Sequence, residues 1–263
     1  MSIKRIKAIL LLDFFISKQS LEIIFDVFIF PIFTNIIVFG FFTLYLTRNN
    51  FGYDPTSILI GMIYWQPIFV ISYSIGVGSL WNIWAKNLTN IFISPISTNE
   101  YLIAYSFSGL FKGLLILILG YIVSFFIFKI NVFSIGLFSS LLYFINVSIF
   151  GLSFGIFCLG LVFRFGTRIQ ALSWGLIFIL QPIMAVIYPV SILPKPFQFV
   201  AYLFPPTYVF EAIRNNLSGV PDTSLFIVKA FLLNILWFIF SIYFFRMMLK
   251  KSKEIGQFSK LEI

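Results

Sequence analysis

Apolar residues fall in six long blocks: Phe25 to Leu46, Ser57 to Leu80, Leu102 to Phe128, Val132 to Phe163, Ile169 to Tyr188 and Ser224 to Met248. A helix needs about 20 apolar residues to cross the hydrocarbon of a bilayer, so the pattern predicts an all-α polytopic membrane protein with six transmembrane helices. Ahead of the first block, Lys4, Arg5 and Lys7 lead into an apolar stretch broken by Asp13. No small-residue cleavage site follows, so residues 1–24 read as an N-terminal interfacial helix at the cytoplasmic face rather than a signal peptide. Between the fifth and sixth blocks, residues 189–222 are too apolar for an ordinary loop. Seven of the eleven prolines lie between Pro182 and Pro221, which excludes a continuous membrane helix there. Phe197 to Phe204 is too short to span, and Thr207 to Leu217 reads as a helix after Pro206. A re-entrant helical element on the outer side fits both.

With 60% hydrophobic and 10% charged residues, the chain has no means of covering a soluble surface. Its 263 residues leave no room beside six spans for a soluble catalytic domain, so residues 1–263 read as one membrane domain. The net charge of +9 does not point to nucleic acid, because the basic residues sit at the ends of apolar blocks. Placing both termini in the cytoplasm puts twelve cations inside and five outside (Arg48, Lys129, Lys195, Arg214, Lys229), as the charge bias of membrane proteins requires. Lys112 falls near the cytoplasmic end of the third block, where it either snorkels to the interface or faces a substrate. Cys158 is the single cysteine and histidine is absent, so disulfides within the chain and the usual metal sites are excluded. Gly109 with Gly113, and Gly151 with Gly155, have the spacing that lets membrane helices approach closely, either within one chain or between subunits.

The acidic residues are Asp13, Glu22, Asp26, Asp54, Glu100, Glu211, Asp222, Glu254 and Glu262. None lies at the centre of a block, which weighs against coupling to protons or sodium. No G-x-x-x-x-G-K-S/T occurs, so ATP hydrolysis would have to be performed by another protein. After the second block, Trp81, Trp84, Leu88, Ile91 and Phe92 recur at helical spacing, with polar Asn82, Lys86, Asn87 and Asn90 between them, as in an interfacial amphipathic helix. Pro95 then stops that helix, and Ser97 with Glu100 has the spacing of a capping box for the next.

The run from Asn87 to Glu100, with Ser94-Pro95-Ile96-Ser97 and Glu100, resembles the cytoplasmic segment of ABC-2 type transporter permeases. Tyr188-Pro189-Val190-Ser191-Ile192-Leu193-Pro194, followed by Phe204-Pro205-Pro206-Thr207-Tyr208 to Arg214, is similar to the family's second pattern, in the same order and spacing. The resemblance implies the transmembrane permease subunit of an ATP-driven exporter in a prokaryotic cytoplasmic membrane. Such a subunit pairs with a second copy of itself and with two ATP-binding-cassette subunits, which bind the ATP and magnesium. It has no enzymatic activity, cofactor or metal of its own. By the same resemblance, the N-terminal interfacial helix and residues 81–101 contact the ATPase, the latter as the ATPase-coupling segment with Trp84, Asn87, Ser94, Pro95, Ile96 and Glu100 as contact positions. Asn87 and Asn90 stand where family members often carry acidic residues, a departure that bears on the polarity of that contact. The external element holds Pro189, Pro194, Pro205, Pro206, Tyr208, Glu211 and Arg214. Glu211 and Arg214, three apart on one helical face, either gate the path or only stabilise a bend. Tyr64, Trp65, Tyr73, Trp174 and Tyr188 are candidates for stacking on a substrate in the translocation path. The alternative reading is an ion-coupled secondary transporter or channel without an ATPase. A membrane enzyme is disfavoured, since no histidine, paired carboxylates or activated nucleophile can be placed in a cleft.

Overall fold

The computed structural model describes residues 1–49, 55–84, 91, 93–220 and 223–254, apart from the side chains at 79, 167, 170, 173 and 174. Among the described residues the fold is all-α. The helices are α1 (Ile3–Gln19), α2 (Leu21–Arg48), α3 (Thr56–Trp84), α4 (Thr98–Phe128), α5 (Leu137–Phe165), α6 (Gln170–Ile183), α7 (Lys195–Ala201), α8 (Pro205–Leu217) and α9 (Ser224–Glu254). Five of them, α2, α3, α4, α5 and α9, are long and apolar enough to cross a membrane.

The architecture is organised around α3, whose most apolar stretch is completely buried. A helix apolar on every side is stable only when other helices surround it, and α3 is flanked by α4 on one side and α5 on the other. The two glycine pairs explain how three helices come so close. A methyl group placed on Gly109 would lie 3.3 Å from the Ile71 carbonyl oxygen, and one on Gly151 would lie 3.2 Å from Ile71 Cβ. Ile71 of α3 therefore sits between the glycine notches of α4 and α5, and both pairs serve packing within the chain. On its far side α5 carries α9. There Asn234 donates to the Asn146 carbonyl at 3.0 Å, a polar clamp inside an apolar interface.

The outer faces of α4 and α9 carry exposed Phe107, Phe111, Phe126, Leu232, Leu236 and Ile239. Apolar surface on this scale needs lipid or another subunit to cover it. In α2, the stretches Phe25–Ile29 and Pro31–Ile37 widen to π-helical turns. Pro31 lacks an N–H and crowds the preceding turn, and the wider winding relieves both defects.

The fifth apolar block differs from expectation. Helix α6 has 14 residues, a length of about 21 Å, because the chain leaves helical geometry where Ala185 takes φ 55°. The fourth block also starts later than expected. Asn131 caps a 3-10 turn at Val132–Ile135, and Gly136, at φ 85°, separates that turn from α5.

Candidate functional site

Two regions carry the sequence-predicted residues, one at each end of α4's partners. At the first, the capping box is present as expected: Ser97 Oγ accepts the Glu100 N–H at 3.2 Å, and Glu100 Oε2 accepts the Ser97 N–H at 2.8 Å. Glu100 does more than cap. Its other oxygen accepts the Ser2 N–H at 2.6 Å, and Arg5 approaches at 3.7 Å. The carboxylate is turned inward, with the residue 1% exposed, and clasps the start of α1 to the start of α4. The surface beside it is formed by Ile93, Pro95, Ser97 and Asn99, all exposed. Ser94 Oγ donates to the Ile91 carbonyl and Ile96 N–H to the Ser94 carbonyl, so the Pro95 turn is closed on both sides. Trp84 is exposed at the end of α3 and meets Trp81 edge-on at 4.9 Å. Asn87 lies outside the described residues.

From this clasp α1 runs alongside α4 in the same direction. Asp13 accepts from Ser108, and Lys112 Nζ reaches Asp13 Oδ2 at 2.8 Å and Ser17 Oγ at 2.9 Å. Asp13 and Lys112 are both nearly buried in this contact, with side chains 9% and 11% exposed. Lys112 is thus committed to an ion pair within the chain. Sequence reading places Asp13 and Lys112 separately at interfaces and misses their pairing, because nothing local joins positions 99 apart in sequence.

At the second region, α7 and α8 form a helical pair over which the prolines are distributed as helix starters. Pro194 precedes α7, and Pro205 occupies the first turn of α8, where a missing N–H costs nothing. Pro189 opens the 3-10 turn Val190–Ile192, and Pro206 is buried. Glu211 Oε1 accepts both the Val190 N–H at 2.8 Å and Arg214 Nη2 at 2.9 Å. The pair therefore fastens α8 to the turn before α7. Tyr208 meets Tyr202 at a tilt with ring centroids 5.3 Å apart, and Asn216 donates to the Ile135 carbonyl at 3.1 Å, tying α8 to the turn ahead of α5. Opposite, Gly61 leaves room for the Val186 carbonyl, which would stand 2.5 Å from any Cβ there.

The aromatic path candidates separate. Tyr64 and Trp65 have no exposure at all. Tyr64 exchanges hydrogen bonds with Tyr121 and Ser140, and these bonds tie α3 to α4 and α5. Tyr188 donates to the Pro182 carbonyl at 2.8 Å and lies at the surface. The Trp174 side chain lies outside the described residues. Tyr73 alone of the four described lines a substantial crevice, where its hydroxyl donates to Asp26 Oδ2 at 2.6 Å. Glu22 and Asp26 of that crevice were legible as acids at the start of the first block, though not as neighbours of α3.

No protein-family model matches this chain, and no curated protein matches it significantly.

Proposed function

We propose that the chain is the membrane-spanning permease subunit of an ATP-driven exporter of the ABC-2 type, working as a dimer with two separately encoded ATPase subunits. The observation that carries this reading is the Glu100 clasp. The two segments that the resemblance assigns to ATPase contact, the N-terminal helix and the turn at Ser94 to Ser97, meet at one buried carboxylate at the foot of α4. A push on the exposed Pro95 surface passes into α1 and α4 together. Coupling then requires only that the ATPase bind the two membrane conformations differently. In this reading α6 makes the sixth crossing, and α7 with α8 dips back from the outer side as a re-entrant pair. Export, both termini in the cytoplasm and a prokaryotic cytoplasmic membrane belong to the same proposal.

Pull-down of the tagged chain from its native membrane in mild detergent tests it. A stoichiometric ATPase whose recovery falls on Pro95→Ala or Glu100→Gln is the expected result. Repeated recovery of intact chain without an ATPase refutes it. The ion-coupled alternative draws on the nearly buried Asp13–Lys112 pair, since charges held among apolar helices are functional by default. Transport that follows an ion gradient without ATP would favour that alternative.

A further inference from the structure

Six acidic residues are described, and four of them are ion-paired: Asp13 with Lys112, Glu100 with Arg5, Glu211 with Arg214 and Glu254 with Lys250. In a chain of net charge +9, the other two have no basic partner among the described residues. These are Glu22 and Asp26, one helical turn apart on α2, and both line the same crevice of about 310 Å³ between α2, α3 and α6.

The opposite wall is aromatic. Tyr73, Trp81 and Trp84 present their rings from α3, at spacings that place them on one helical face. Deeper in, Phe69 contacts Phe178 of α6 at 5.0 Å and Tyr73 at 5.8 Å. Glu22 is exposed at the mouth, while Asp26 is half-buried and oriented by the Tyr73 hydroxyl. The indole N–H of Trp81 is turned toward the Tyr73 hydroxyl, which links the two rings of this wall. Carboxylates facing electron-rich rings, in a cavity too small for a folded partner, are the chemistry that recognises an alkylated ammonium: the rings accept its charge through their faces, and the apolar depth takes its substituents.

We infer that this crevice binds a free hydrophobic ammonium cation, and, resting on the exporter reading above, that such cations are the class of substrate carried. A zwitterionic lipid carries the same ammonium, but its phosphate would meet Glu22 at the mouth. A second unpaired carboxylate suits a ligand with no negative group of its own.

Benzyltrimethylammonium, permanently charged and water-soluble, is the probe, titrated by calorimetry into the full chain in phosphatidylglycerol nanodiscs. Saturable binding is expected, weakened about tenfold by Asp26→Asn and several-fold by Glu22→Gln, with benzyl alcohol failing to compete. Glu22 is exposed, so its variant tests the charge without disturbing packing. Absence of saturable binding, or equal binding by wild type and the Glu22→Gln/Asp26→Asn double variant, overturns the inference. Loss of probe binding when phosphatidylcholine replaces phosphatidylglycerol overturns the free cation in favour of a lipid headgroup. The assay needs no ATPase, so a chain that binds the cation but recruits no ATPase keeps the site and loses only the exporter reading.

Discussion

Replacing Gly155 by alanine adds one methyl group where α5 crosses α3. That methyl would stand 3.0 Å from Ser72 Cα, 3.0 Å from Ile75 Cβ and 3.1 Å from Ile75 Cδ1, against about 3.5–4.0 Å for carbon atoms in ordinary contact. One of these atoms is backbone, so no rotamer change removes the clash, and α3 and α5 must separate. Overpacking of this kind costs about 1–3 kcal/mol, and the loss of glycine's backbone freedom within a helix returns roughly 0.5–1 kcal/mol. The net destabilisation is about 0–2.5 kcal/mol by those two principles. Gly175 of α6 supplies the control, because no atom of the described residues lies within 4 Å of its added methyl; there only the favourable term remains. Thermal melting in detergent, followed by loss of the monodisperse peak on size exclusion, reads both. Gly155→Ala is expected to melt below wild type and Gly175→Ala at or slightly above it. A Gly155→Ala protein at least as stable as Gly175→Ala would refute the placement of the two glycine pairs against α3.

Breaking the Asp13–Lys112 pair leaves a nearly buried charge uncompensated, so Asp13→Asn or Lys112→Met alone should cost about 3–5 kcal/mol, while the double variant recovers much of this; melting of all three in one detergent checks it. At the clasp, Glu100→Gln keeps one acceptor and loses the charge, whereas Glu100→Leu frees both backbone donors; limited proteolysis should cut the leucine variant within α1 far faster, and equal rates would show that the clasp does not hold α1. In α8, exchanging the charges through Glu211→Arg with Arg214→Glu should fail to restore protein levels, because Val190 N–H needs an acceptor at position 211, while Glu211→Gln should retain them; restoration by the exchange would mean that the ion pair alone matters. Cys158 is buried and should resist maleimide in the native protein but react after denaturation, as mass spectrometry would record.

Local chemistry explains what was legible in the residues. The all-α membrane character follows from blocks too long and too apolar for any other solvent. The capping box at Ser97 and Glu100 and the proline-started helices α7 and α8 are set by neighbours a few positions away. The fifth block shows where that legibility stops. Its composition suits a full span, yet the helix ends at Ile183 because the following residues leave helical geometry to meet α8 and the Gly61 notch, neither of which is adjacent in sequence.

The same distinction separates the two ends of the candidate machinery. Sequence alone determined that Glu100 would cap α4, that Glu211 and Arg214 would share a helical face, and that the glycine pairs would permit close approach. Only the tertiary structure decided that Glu100 also holds α1, that Glu211 serves the Val190 turn, and that both glycine pairs close on α3 between Ile68 and Ile75. It also decided that Glu22 and Asp26 face the rings of α3 with no basic partner among the described residues. A helix's hydrogen bonds are satisfied within about four residues of one another, so its existence is a local property. Which faces of two helices meet depends on which burial best satisfies the whole chain, and the side chains that carry charge or recognise a ligand are assembled at that level.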